Sequence, residues 1–137
     1  FYVAPVLLGP VDPNSRIAQE EVFGPVLHVA RFRAADLGRV VDAINATGYG
    51  LTLGVHSRNE ETAERIERLA RVGNLYVNRN QIGAVVGVQP FGGCGLSGTG
   101  PKAGGPSYLL RFANERTTST NTTAVGGNAS LLSLGDD

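Results

Sequence analysis

The sequence predicts an α/β protein in which a βαβαβ run lays three parallel strands in one sheet. Three observations lead there. Between residues 26 and 78 the apolar pattern alternates between short extended runs and helical stripes of period i, i+3, i+4, i+7. The connections are short, the pattern expected of crossover units whose strands run parallel. A long glycine-rich loop then begins at Arg79, directly after the third strand, at the sheet end where ligands of such folds gather.

The elements follow in chain order. Residues 1–9, FYVAPVLLG, are rich in aromatic and β-branched types and predict a short strand, which Pro5 pushes towards a sheet edge. Asp12-Pro13-Asn14-Ser15 predicts a turn, with Ser15 as cap of a short helix over Ile17 to Glu21 that Gly24-Pro25 stops. Val26 to Phe32 is the first strand of the βαβαβ run. Leu37, Val40, Val41 and Ile44 form one apolar stripe, predicting an amphipathic helix from about Ala35 to Ala46 that ends at Gly48 and Gly50. Leu51 to His56 is the second strand. Ser57, three residues before Glu60, is a possible capping box for a helix whose buried face is Ile66, Leu69 and Ala70. Gly73 closes that helix and Asn74 to Asn78 is the third strand.

The bulk properties narrow the function classes. At 137 residues, 42% of them hydrophobic, the chain is long enough for one domain with its own core. Its basic and acidic side chains number twelve each, so no summed field attracts nucleic acid or an anionic membrane. No apolar run approaches the roughly 20 residues of a membrane span, and a cytoplasmic location is expected. The single cysteine, Cys94, fits a reducing compartment. A chain that starts Phe1-Tyr2-Val3 and lacks methionine altogether is expected to be a piece of a longer one.

The loop from Arg79 to Ser107 holds nine glycines but only two charged residues in 29 positions, too apolar for a flexible linker. Long loops of this kind, when ordered, are usually functional. Within it Gly93-Cys94-Gly95-Leu96-Ser97-Gly98 matches G-x-G-x-x-G. Gln89-Pro90 before it and Thr99-Gly100-Pro101 after it leave no strand-to-helix turn for a pyrophosphate, so the match is read as accidental. No neighbouring cation or helix start activates Cys94, and His28 and His56 read as ordinary strand residues. One cysteine and two distant histidines make no metal site. Asn45-Ala46-Thr47 fits a glycosylation sequon, a pattern common by chance. Glu20-Glu21 beside Val22-Phe23 is either a solvated pair or a carboxylate that accepts the hydroxyls of a ribose, with an aromatic neighbour for a flat ring.

Four segments in order, Glu20-Glu21-Val22-Phe23-Gly24-Pro25-Val26, Gly48-Tyr49-Gly50-Leu51, Gly73-Asn74-Leu75-Tyr76-Val77-Asn78 and Pro90-Phe91-Gly92-Gly93 with Ser97-Gly98, resemble the C-terminal part of the aldehyde dehydrogenase superfamily. The stretch from Gly83 to Phe91 and Gly98-Thr99-Gly100-Pro101-Lys102-Ala103-Gly104-Gly105-Pro106 is similar to the L-glutamate γ-semialdehyde (Δ1-pyrroline-5-carboxylate) dehydrogenase branch. The tail, Asn121-Thr122-Thr123-Ala124 with Gly126 to Leu132, resembles the bifunctional bacterial proline-utilisation flavoenzymes.

The resemblance implies the βαβαβ portion of an aldehyde dehydrogenase catalytic domain over residues 1–112. An oligomerisation strand and tail would follow over 113–137, making a homo-oligomer. It implies NAD⁺-dependent oxidation of a small-molecule substrate, glutamate semialdehyde, to glutamate. Glu21 would grip the nicotinamide ribose and Phe23 would lie beside the nicotinamide. Backbone N–H groups of Gly83 and Ala84 would hold the substrate α-carboxylate, and Phe91 would wall its aliphatic part. The family's nucleophilic cysteine and activating glutamate belong to upstream motifs, so no catalytic residue is expected here, Cys94 included, and the chain alone is expected to be inactive. FAD would belong to a proline dehydrogenase domain elsewhere in the parent chain. The alternative is a stand-alone α/β binding or assembly module without catalysis.

Overall fold

The computed structural model describes residues 2–121 and 124. Its centre is β4 (Thr52–Val55), α3 (Glu60–Leu69) and β5 (Asn74–Val77), with α2 (Leu37–Ala46) packed alongside. β4 and β5 run parallel in the register Thr52↔Asn74 to Val55↔Val77. Val41, Val55, Ala63 and Ile66 form the buried cluster, with Leu37, Leu53, Ala70 and Leu75 packed against it. Val41 is 2% exposed, and full burial of such a side chain contributes about 2 kcal/mol.

Local chemistry explains the helix ends. Asn59, not Ser57, caps α3, its side chain accepting from the Thr62 amide at 3.3 Å. Ser57 instead closes a small turn, its hydroxyl accepting from the Asn59 amide at 3.0 Å. Glu60 and Glu61 in the first turn and Arg68 in the last complement the helix dipole. The other end of α3 is tied to α2 by Asn45, whose Nδ2 donates to the Leu69 carbonyl at 2.9 Å and whose Oδ1 accepts from the Arg71 amide at 2.8 Å. The amide of the sequon is thus spent on joining the two helices.

The N-terminal part forms a second parallel pair, β1 (Val6–Leu8) with β2 (Val26–His28), enclosing the four-residue α1 (Arg16–Gln19). Ser15 precedes α1 but does not cap it; its hydroxyl donates to the Asp12 carbonyl at 2.6 Å. Here the expectation of one three-stranded sheet is corrected. Among the described residues β2 pairs with β1 and not with β4, so the βαβαβ run is split into two parallel pairs. The apolar run after Val26 also ends as strand at His28, and a 3₁₀ turn, Ala34–Asp36, leads into α2.

The glycine-rich loop folds back on this frame. Its residues Cys94–Gly95 (β6) pair antiparallel with Tyr49–Gly50 (β3), and Phe91 bridges Ala103. Leu109–Phe112 is a 3₁₀ turn, and residues 113–121 carry no assigned strand. The rest of the expected oligomerisation segment and tail, apart from residue 124, lies outside the described residues.

Candidate functional site

The leading half of the loop is a self-bonded turn. The Val85 carbonyl accepts from the amides of Val88 at 3.1 Å and Gln89 at 2.8 Å, while Gln89 Oε1 accepts from the Val85 amide at 3.0 Å. Gly83 enters the turn at φ +66°, a left-handed conformation that glycine adopts without the cost a side chain carries. The amides of Gly83 and Ala84 have no hydrogen-bond partner among the described residues. Gly83, Ala84 and Phe91 line one cavity of about 350 Å³, together with Val86, Gln89 and Ala103. All three residues expected to bind substrate are therefore brought together, across a nine-residue stretch.

What holds this loop to the frame was not visible in the sequence. Asn74, at the start of β5, is 8% exposed. Its Nδ2 donates to the Pro90 carbonyl at 3.1 Å, and its Oδ1 accepts from the Gly92 amide at 3.4 Å and from Lys102 Nζ at 3.2 Å. Lys102 Nζ also donates to the Gly73 carbonyl. A Cβ on Gly73 would run into the backbone of Gly92 and Gly93, so only glycine lets the strand start and the loop touch. A buried asparagine one residue after a glycine was the available signal, because such a side chain must find partners.

Glu21 and Phe23 lie on a different surface. Arg16 takes Glu20, Nε to Oε1 at 2.8 Å, whereas the Glu21 carboxylate has no hydrogen bond or ion pair among the described residues. Glu21 lines a cleft of about 610 Å³ between α1, β2 and the β3 region, which Tyr49, Leu51 and Ser97 also line. Phe23, two positions along the chain and not part of the cleft lining, is 95% exposed. A free carboxylate on a cleft is able to accept the hydroxyls of a polyol such as a ribose. This cleft and the Gly83–Phe91 cavity share no lining residue.

Cys94 sits on β6, and its thiol lies 3.1 Å from the Arg71 carbonyl, to which it donates. Beyond it the Gly98 amide donates to the Gly95 carbonyl at 3.3 Å, closing a turn, and no helix opens on the G-x-G-x-x-G stretch. His28 lines the Glu21 cleft with Nε2 buried and unpartnered among the described residues.

Parallel strand pairs joined by a crossover helix, with a glycine-rich loop folded back onto the start of β5, make this an α/β domain. The chain belongs to the aldehyde dehydrogenase family, whose model matches residues 1–118. Among curated relatives it is 60% identical over 115 residues to the bifunctional protein PutA of Escherichia coli, covering 84% of this chain and 9% of that one. It is 49% identical over 119 residues to the 1-pyrroline-5-carboxylate dehydrogenase of Geobacillus thermodenitrificans, covering 87% of this chain and 23% of that one. A crystal structure of a variant of Bradyrhizobium japonicum proline utilization A (PutA) is similar at TM-score 0.78 and 61% identity, covering 90% of this chain and 12% of that one. The 1-pyrroline-5-carboxylate dehydrogenase from Thermus with bound NAD is similar at TM-score 0.74 and 52% identity, over 80% of this chain and 21% of that one. The chain thus spans between about a tenth and a quarter of the length of these relatives.

Proposed function

We propose that this chain is the substrate-anchoring part of an NAD⁺-dependent dehydrogenase that oxidises L-glutamate γ-semialdehyde to L-glutamate in proline catabolism. The observation that carries the proposal is the pair of unpartnered amides at Gly83 and Ala84 on a cavity that Phe91 also lines. Successive backbone N–H groups are suited to a carboxylate. An aromatic beside them covers the methylene chain that separates carboxylate from aldehyde.

In this reading Gly83 and Ala84 bind the α-carboxylate and Phe91 keeps the chain straight and dry, so the aldehyde is presented in a fixed orientation. Glu21 accepts the hydroxyls of the nicotinamide ribose, and Phe23 packs beside the nicotinamide. When bound, NAD⁺ supplies the hydride acceptor. The attacking cysteine and its activating glutamate come from other segments of the enzyme, and Cys94, committed to the Arg71 carbonyl, takes no part. Any FAD belongs to a proline dehydrogenase domain outside this segment.

Exposed apolar groups on the loop, Val86 at 96% and Val88 at 73%, support a larger body of protein around it. Residues 113–137 then serve as oligomerisation strand and tail, and the enzyme works in the cytoplasm; among the described residues no helix is long and apolar enough to cross a membrane. The test is a comparison of the full-length enzyme carrying this chain with the chain alone. The enzyme should oxidise glutamate semialdehyde with NAD⁺, at far higher kcat/KM than a small aldehyde without the carboxylate. The chain alone should show no turnover. Turnover by the isolated chain would refute the assignment, and so would equal efficiency on both aldehydes.

A further inference from the structure

Phe91 is held through the backbone of its own segment. The residues on either side of it, Pro90 and Gly92, are both bonded to the side-chain amide of Asn74. Phe91 itself exchanges two hydrogen bonds with Ala103, its amide donating at 3.1 Å and its carbonyl accepting at 2.9 Å. Ala103 follows Lys102, whose ammonium is fixed on Asn74 Oδ1 and the Gly73 carbonyl. The two arms of the loop, 90–92 and 102–103, therefore meet at one buried asparagine on β5, and Lys102 is what closes the second arm onto it.

The geometry points to Asn74 and Lys102 as positioning residues that set substrate selectivity by fixing Phe91. This rests on the reading that Phe91 walls the substrate chain. Lys102 does not line the cavity of Gly83, Ala84 and Phe91. It lines a neighbouring one with Asn74, Tyr76 and Pro90, and Gln89 contributes to both. Its charge is occupied by two acceptors on the frame, so it acts on the substrate through the backbone at Phe91. A lost charged hydrogen bond frees the second arm, and the Phe91–Ala103 bridge loosens with it. Small displacements of a positioning group cost far more for a substrate oriented by that group than for one too short to reach it.

The experiment uses the full-length enzyme carrying this chain, with Lys102→Met and Lys102→Arg, assayed on glutamate semialdehyde and on propanal. The expected result for Lys102→Met is a rise in KM for glutamate semialdehyde of about tenfold, with kcat and both constants for propanal nearly unchanged. Lys102→Arg, which keeps charged donors near Asn74, should recover most of that loss. Hydrogen exchange adds a readout independent of catalysis: in Lys102→Met the peptide spanning 88–93 should exchange faster while 60–69 is unchanged. Equal effects on both aldehydes, no effect on either, or faster exchange in 60–69 as well would overturn the inference. If wild-type enzyme fails to prefer glutamate semialdehyde over propanal, the proposed function itself falls and the inference with it. A wild-type preference that survives intact in Lys102→Met sinks the inference alone.

Discussion

Asn78 grips Ser57 with both ends of its side-chain amide, Oδ1 accepting from the Ser57 amide at 2.9 Å and Nδ2 donating to the Ser57 carbonyl at 2.9 Å. The contact joins the segments that leave β4 and β5 at their carboxyl ends, just where the glycine loop departs. Asn78 also takes φ +54°, the left-handed region that asparagine tolerates better than most residues.

Replacing Asn78 should therefore act in two separable ways. Asn78→Gly loses both hydrogen bonds and should lower stability by about 1–3 kcal/mol. Asn78→Ala loses the same bonds and adds the cost of a Cβ in a left-handed conformation, about 1 kcal/mol more. Urea denaturation of the chain and its variants checks the order. Alanine equal to or better than glycine would remove the backbone from the explanation.

Adjacent glutamates should behave differently. Glu20 is paired with Arg16 on the surface, with side-chain exposures of 60% and 85%, an i,i+4 contact worth little in water. Both glutamates line the same cleft, but the Glu21 carboxylate is free of any partner among the described residues. In the full-length enzyme Glu21→Gln should raise the KM for NAD⁺ several-fold or lower kcat, whereas Glu20→Gln should leave both within about twofold. The same response from both variants would detach Glu21 from the cofactor.

Much of this arrangement is legible in the amino-acid sequence. The stripe Leu37, Val40, Val41 and Ile44 and the charged outer face of residues 60–68 marked α2 and α3 because both helices bury one side only. The short runs at 51–56 and 74–78 marked β4 and β5, bounded by glycine and polar residues. Other features were not legible, for identifiable reasons. β2 reads as apolar in sequence whichever neighbour it takes, and its partner is β1. β3 and β6 are two residues each and have no period to detect. Asn59 and Ser57 are both competent caps, and only the turn geometry selects Asn59.

The candidate site was legible through resemblance more than through pattern. Gly83, Ala84 and Phe91 carry no chemistry of their own, since two act through backbone amides and one through its ring. The stretch around Phe91 is tied to the frame by Asn74, which also accepts from Lys102, 28 positions away in sequence. Periodicity cannot register such a contact, because neither residue repeats with anything around it.

The central claim is that Phe91 walls the aliphatic chain of a substrate whose carboxylate sits on Gly83 and Ala84. Its most direct test is Phe91→Ala in the full-length enzyme, measured on glutamate semialdehyde and on propanal side by side. Removal of an aromatic wall should raise the KM for glutamate semialdehyde by about tenfold or more and leave that for propanal within about twofold. An equal change for both aldehydes, or none for either, would contradict it.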